Sequence, residues 1–358
     1  MKNKSVFGVF MAVVLLVVVC IVWLVVPLRR KEVLANKQGT QSKGIAGVDP
    51  GSHVIPAQPP KVNPSSLSAI NKPKMSVGAE QTPPQSKPVA PLMTPDWNAL
   101  PPVIKLIAGQ AEEKGLEARL TAVHNLGKSL TPQEIEALYW FLGNRVDKQD
   151  LDSLSLNAIK NDVLDSLVSQ QKLPPDLMEN LIRNFQDKTM DVTWRDYCVQ
   201  HFSIYYETQW AQDDANRLAA PERMGLMKAY DEALTEPENG IAGTALVGLA
   251  RLSTLYPEIN RQQLGEKALR LAQDSKSDVQ TKIAAINVCG ATGAAAILPM
   301  ARVQAQTAEV LPLRLASIAA IGQVGTAEDK ELLESLLAGT DKSVHKAATA
   351  ALKKFGQR

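Results

Sequence analysis

The sequence predicts an all-α protein: a right-handed α-solenoid of about six to seven helical pairs, preceded by one transmembrane helix and a disordered linker. Two observations predict this fold. Apolar residues recur at helical spacing from Trp97 onward, without a convincing run of strand-type alternation, and one helical segment repeats near the carboxyl terminus. The 358 residues are too many for a single compact core, so separate segments are expected.

Residues 6–28 are predicted to form a transmembrane signal anchor behind a short tail, residues 1–5. The 21 residues from Val6 to Val26 carry no charge, and a helix of that length, at about 1.5 Å per residue, matches a hydrocarbon core of about 30 Å. A cleaved signal peptide usually has a shorter apolar region that ends at a small-residue site. This run ends instead in Arg29, Arg30 and Lys31, so an uncleaved anchor is expected, with a signal peptide as the alternative.

Two signals give opposite orientations for the anchor. Lys2 and Lys4 precede the apolar run, but more basic residues follow it, and positive residues prefer the cytoplasm. Taken alone, that count places the body inside the cell. The start Met-Lys-Asn-Lys, followed at once by the apolar run, resembles a bacterial signal anchor with an exported body. We favour the second interpretation, a single-pass protein of the bacterial inner membrane with a periplasmic body.

Residues 29–96 are predicted to be a disordered, Pro-rich linker. Residues 29–95 contain eleven prolines and no aromatic residue. A segment of this composition buries too little apolar area to offset the entropy lost on ordering. The alternative is a Pro-rich ligand for a small recognition module.

Net charge differs between the linker and the body. Residues 29–95 carry nine bases and three acids, whereas residues 96–358 carry 28 bases and 34 acids, a net charge of −6. Affinity for nucleic acid depends mainly on Lys and Arg side chains that neutralise phosphates. The acidic body therefore argues against a nucleic-acid partner.

The body, residues 97–358, contains an internal repeat. Residues 313–325 align without a gap with residues 344–356, and again with residues 281–293. The three copies begin 32 and 31 residues apart. Fixed periods of about this length are typical of solenoids. Extending the register upstream places further first helices of helical pairs near residues 118, 159, 194 and 241.

Each copy has an apolar residue, a base, two small residues, and then a small and a large residue before a closing glycine. This pattern resembles HEAT repeats, in particular the bilin-lyase-type HEAT-like variety, and the match is clearest over residues 279–356. The resemblance implies a stack of helical pairs with a long surface. It carries no catalytic residue to this chain.

The base at the second repeat position recurs along the body. We expect these bases to pair with the acids that precede each first helix, Asp191, Glu238, Asp278 and Asp341. The alternative is a ladder that binds an acidic partner. The bases are Arg119, Lys160, Arg195, Lys282, Arg314 and His345.

No motif of catalysis or metal binding is present in the sequence, which lacks a Gly-rich phosphate loop, HExxH, paired CxxC and a Ser elbow. Cys198 and His201 are one helical turn apart, but both fall on packing positions of the repeat, as does Cys289. We therefore expect no enzyme activity, no cofactor and no metal site.

Aromatic residues cluster in the middle of the body. Trp194, Tyr197 and Tyr205 follow helical spacing and are predicted to be core. Tyr206 and Trp210, four residues apart, are predicted to form a second face beside a loop around residues 209–221. Together with Trp140, they are the predicted partner-binding residues, since Tyr and Trp dominate interface hot spots. The alternative is that all of them pack.

These features favour a membrane-tethered scaffold or adaptor that binds a protein partner through the solenoid surface and performs no catalysis. The first alternative is a cofactor chaperone or lyase-like enzyme on a HEAT-like scaffold, as the resemblance implies. The second is a cytoplasm-facing regulator of a membrane complex. The sequence does not identify the partner.

Overall fold

A computed structural model of the chain describes residues 93–112, 115–144, 151–212, 220–355 and 357. All of them belong to one unit, residues 90–358. The described residues form helices and no strand, which confirms the all-α class. The predicted anchor, residues 6–28, and all but the last four residues of the predicted linker, 29–96, lie outside the described residues. Among the helices that are described, none combines the length and apolarity needed to span a bilayer.

Fourteen α-helices and three short 3₁₀ turns occur within the described residues. The turns are Trp97–Ala99, Pro237–Asn239 and Ala295–Ile297. The helices are α1 Pro102–Ile107, α2 Leu116–His124, α3 Pro132–Gly143, α4 Ser153–Val168, α5 Leu177–Gln186, α6 Val192–Gln212, α7 Ala220–Ala233, α8 Ile241–Leu252, α9 Arg261–Gln273, α10 Val279–Thr292, α11 Leu298–Thr307, α12 Leu311–Val324, α13 Asp329–Leu336 and α14 Lys342–Phe355.

The helices pack in two interleaved sets. Each even-numbered helix from α2 to α14 packs against the next even-numbered helix, and each odd-numbered helix packs against the even-numbered helix that follows it. The first helices expected from the repeat, near residues 118, 159, 194, 241, 281, 313 and 344, all fall in even-numbered helices. The predicted helix positions are therefore confirmed.

Small residues let neighbouring even-numbered helices approach closely. A Cβ atom built on Gly322 of α12 would lie 2.7 Å from the Cα and Cβ atoms of Ala351 on α14. On α8, a Cβ atom at Gly243 would lie 3.0 Å from the Cα atom of Thr281 on α10. Contacts this short leave no room for a larger side chain, so glycine at these positions sets the spacing between the helices.

Side chains cap several of the helices at their amino ends. Thr131 and Glu134 form a capping box at α3. Asp278 caps α10, because its Oδ1 atom accepts a hydrogen bond of 2.7 Å from the Thr281 amide. Asp176, before α5, is an exception: it has a positive φ of 58° and its side chain makes no capping hydrogen bond.

We predict opposite effects from two glycine-to-alanine substitutions. In a helix this change usually stabilises by about 0.5–1 kcal/mol. Gly225→Ala on α7 should do so, because its nearest neighbour would be the Ile182 Cδ1 atom at 4.0 Å. Gly322→Ala should instead destabilise by about 1–3 kcal/mol, because the new methyl group collides with the backbone of α14. Urea unfolding of the two variants measures both effects, and stabilisation by both would contradict the packing described here.

Candidate functional site

The structure places Tyr206 in the core. Its side chain is 4% exposed. Its ring meets the ring of Tyr256 edge-on, with 4.2 Å between the centroids and 79° between the planes. The prediction that Tyr206 lies on an exposed second face of α6 is wrong, because Tyr256, which follows α8, covers that face.

Trp140 lies apart from Tyr206. It is half-buried on α3, where its ring packs edge-on against Trp97 with 5.2 Å between the centroids. Trp210 lies in α6, but its side chain falls outside the described residues, as do residues 213–219 of the predicted loop. The described residues therefore do not bring the three predicted partner-binding residues together. Binding by Trp140 and Trp210 stays a prediction.

Four of the six bases at the second repeat position bind the carboxyl end of the preceding helix. Arg119 donates from Nε and Nη2 to the Ile107 carbonyl at the end of α1, at 3.0 and 2.7 Å. The Nζ atom of Lys160 donates to the Leu142 carbonyl near the end of α3, at 2.9 Å. Helix carboxyl ends expose unpaired carbonyls and a partial negative charge, which cationic donors stabilise.

Arg195 and Arg314 make the same contact in later repeats. The Nε atom of Arg195 donates to the Phe185 carbonyl on α5 at 2.7 Å, and that of Arg314 donates to the Ala305 carbonyl on α11 at 2.8 Å. Arg195 also pairs with Glu236 at 2.5 Å. The expected pairing with the acids that precede each first helix is wrong at these positions, because the bases bond helix carbonyls instead. Their role in the structure, rather than in binding a partner, agrees with the expectation.

Aromatic rings lie beside three of these bases. The Cζ atom of Arg195 lies 5.4 Å from the centroid of Phe185. The Cζ atom of Arg119 lies 5.4 Å from the centroid of Phe141, and the Nζ atom of Lys160 lies 5.9 Å from the same ring and 5.0 Å from Trp194. Burial lowers the pKa of Lys160 to about 8. Because Arg119, Lys160 and Arg195 are at most 5% exposed, the alternative of a ladder that binds an acidic partner is wrong for these three.

We predict that Arg119→Met destabilises the protein by about 2 kcal/mol, because the buried Ile107 carbonyl loses both of its hydrogen bonds to this guanidinium. Lys282→Met is the matched control. Lys282 occupies the same repeat position but is partly exposed, and it makes no such bond among the described residues, so a change below about 0.5 kcal/mol is expected. Urea unfolding distinguishes the two. Equal effects would mean that the bond to the helix end contributes nothing.

Asp196 places a carboxylate in the seam between α6 and α8. The residue is partly exposed, but its Oδ1 atom is buried and has no hydrogen-bond partner. Burial raises the pKa of Asp196 to about 6. A hydrogen bond with Thr244 favours the ionised form and lowers this pKa, but its effect is smaller than that of burial. Corresponding positions in later repeats hold Gly243, Ile283, Leu315 and, in the last described helix, the exposed Lys346. The carboxylate is thus unusual for this seam and costs stability when it is ionised.

The raised pKa of Asp196 gives a pH-dependent prediction. An unfolded aspartate titrates near pH 3.9. Between about pH 4 and 6, the Asp196 carboxyl is therefore protonated in the folded state and ionised in the unfolded state. Stability should fall as the pH rises through this interval. Asp196→Asn should therefore raise the free energy of unfolding by about 1–3 kcal/mol at pH 7.5, with the gain shrinking toward pH 4. Urea unfolding across this range checks it, and a gain independent of pH would contradict it.

Cys198 and His201 pack in the core, as predicted. They are 0% and 1% exposed. The ring nitrogens of His201 lie 2.8 Å from the Tyr197 carbonyl and 3.0 Å from the Asp165 carboxylate. Burial raises the pKa of the Cys198 thiol well above its ordinary value and that of Cys289 to about 12, which makes both poor nucleophiles. Among the described residues, no group of three His, Cys, Asp or Glu side chains is arranged to hold a metal ion.

A groove between α5 and α7 is the feature that the sequence did not predict. Its volume is about 200 Å³, and three of its lining residues are carboxylates that are exposed to solvent. Tyr205, predicted as core, is only 6% exposed, yet it lines this groove. The lining residues are Asp176, Met178, Glu179, Ile182, Tyr205, Glu222 and Gly225.

Comparison with models of protein families finds none that matches this chain. Comparison with curated proteins likewise finds no relative that matches. The features of this chain that bear on its function are the repeated contacts between helices and the acidic groove.

Proposed function

We propose that the protein is a membrane-tethered scaffold or adaptor. Its body is a right-handed α-solenoid of HEAT-like helical pairs, anchored by residues 6–28, and it binds a protein partner without catalysing a reaction. Repeat stacks of this kind present long surfaces, and such surfaces bind other proteins.

One observation carries the solenoid part of the proposal. The same bond, from a base on an even-numbered helix to the carboxyl end of the preceding odd-numbered helix, recurs at Arg119, Lys160, Arg195 and Arg314. A bond that recurs at equivalent positions along a chain is what a stack of like units requires. The ordered contacts between successive even-numbered helices agree with this arrangement.

The chemistry of the buried polar groups favours binding over catalysis. Lys160, whose lowered pKa suits a catalytic base, has its Nζ atom bonded to the Leu142 and Asn144 carbonyls, at 2.9 and 3.1 Å. The two described thiols are held protonated by burial. The Lys160 ammonium and the two thiols therefore stabilise the fold and are not free to act on a substrate. This supports a protein that acts by binding.

Site-specific photo-cross-linking in cells tests the proposal. A photoreactive residue replaces, in turn, Leu154, Met224 and Val303, which are 72%, 65% and 59% exposed. We expect a light-dependent adduct to a protein of one discrete mass at one or more of these positions. Deleting residues 6–28 should abolish the adduct, because the tether holds the body near its partner. Absence of an adduct at all three positions, with the variants folded and membrane-bound, would contradict the proposal.

A further inference from the structure

The groove between α5 and α7 combines acidic groups with the hydroxyl of a tyrosine that is otherwise held in the core. Asp176 and Glu179 come from the start of α5, and Glu222 comes from the start of α7. Tyr205 on α6 lies between them. Its hydroxyl makes no hydrogen bond among the described residues, and burial raises the pKa of Tyr205 to about 12, with Glu222 and Asp176 acting in the same direction.

A purely structural explanation covers only part of this arrangement. Acids in the first turn of a helix stabilise its positive end, which accounts for Glu179 and Glu222. It does not account for Asp176, which makes no capping bond and has a left-handed backbone that costs free energy in a residue other than glycine. Nor does it account for Tyr205, which is more than nine-tenths buried yet lines the groove with an unpaired hydroxyl. An unpaired hydroxyl on a side chain that is otherwise held in the core can hydrogen-bond to a ligand in the groove.

The groove keeps a net negative charge after its neighbours are considered. Among the residues that the structure describes, no basic side chain lines it. Arg183, one turn along α5 from Glu179, interacts electrostatically with Glu179 and Asp176, but it donates its hydrogen bond to Asn180 at 3.3 Å. Arg223, next to Glu222, pairs instead with Glu258 at 3.4 Å. Within the described part of the chain, three carboxylates therefore face one nearby cation, Arg183.

Size and chemistry limit what can occupy the groove. A volume of about 200 Å³ is below the roughly 300–1,000 Å³ of most sites for drug-sized ligands and cofactors, but it can admit one long side chain. Met178 and Ile182 provide apolar walls for the methylene groups of such a chain. The carboxylates and the hydroxyl oxygen accept several hydrogen bonds at once, which a planar guanidinium with five N–H donors satisfies better than a compact ammonium.

We propose that the groove lined by Asp176, Glu179, Tyr205 and Glu222 receives an arginine side chain of the protein partner. This proposal rests on the proposed function, because it names the chemistry of one contact of that partner. The methylene stem lies along Met178 and Ile182. The guanidinium donates to the carboxylates at the rim and to the Tyr205 oxygen, and the Tyr205 hydroxyl hydrogen is then directed to a carboxylate.

Fluorescence polarisation tests the proposal with full-length protein in detergent micelles. The probes are three short fluorescein-labelled peptides that alternate alanine with arginine, lysine or citrulline. Citrulline preserves the shape of arginine and removes its charge. We expect the arginine peptide to bind most tightly, the lysine peptide several-fold more weakly, and the citrulline peptide not at all.

Matched variants locate the binding. Glu179→Gln with Glu222→Gln should weaken arginine-peptide binding by about tenfold. Glu328→Gln with Glu331→Gln removes the same charge from exposed acids at the start of α13 and should weaken it less than about twofold. Tyr205→Phe should weaken binding about threefold and leave the thermal midpoint unchanged, because its hydroxyl has no partner among the described residues.

Three outcomes would overturn the arginine assignment: no binding of the arginine peptide, equal binding of the lysine or citrulline peptide, or equal weakening by the two double variants. The cross-linking result separates this failure from failure of the proposed function. Suppose that the peptide results are negative but the double variant Glu179→Gln, Glu222→Gln still gives the cross-linked adduct. In that case only the assignment of arginine to the groove is rejected. If no partner cross-links, the scaffold proposal falls as well.

Discussion

The structure depends on one interaction above the others, the bond between a cation on one helix and the carboxyl end of the helix before it. A helix end leaves unpaired carbonyls that must be satisfied when they are buried. Arg119, Lys160, Arg195 and Arg314 satisfy them from the neighbouring helix, so one side chain both ends one helix and fixes the position of the next. Burial of a cation is costly, and aromatic rings beside Arg119, Lys160 and Arg195 offset part of that cost.

This interaction also affects the charge at the surface of the body. The body carries more acids than bases, and because Arg119 and Lys160 are buried, they do not neutralise acids at the surface. At the starts of α5 and α7, three such acids come together over Tyr205. Elsewhere acids pair with neighbouring bases. Glu236, for example, accepts hydrogen bonds from Arg195 and Lys188. Burial acts to raise the pKa of Glu236, but these hydrogen bonds outweigh burial and lower it.

The helices and much of the core could be predicted from the sequence, because helical periodicity and repeat alignment are local signals. The alignment of residues 281–293, 313–325 and 344–356 gave the register that places Cys198 and His201 inside. The candidate site could not be predicted in the same way. Tyr206 has the spacing of an exposed face, but Tyr256, fifty residues later in the chain, covers it. The groove joins the starts of two helices separated by more than thirty residues, and no local pattern reports that contact.

Native-state hydrogen exchange of the Arg119→Met chain tests the central claim most directly. If each cation stabilises its own junction in a row of nearest-neighbour contacts, exchange should accelerate in α1 and α2, less in α3 and α4, and remain unchanged in α12 to α14. Arg314→Met should give the reverse gradient, strongest at α11 and α12. Uniform acceleration across all the helices in both variants would contradict the account. It would show that the helices unfold as one cooperative unit and that each cation does not stabilise mainly its own helical pair.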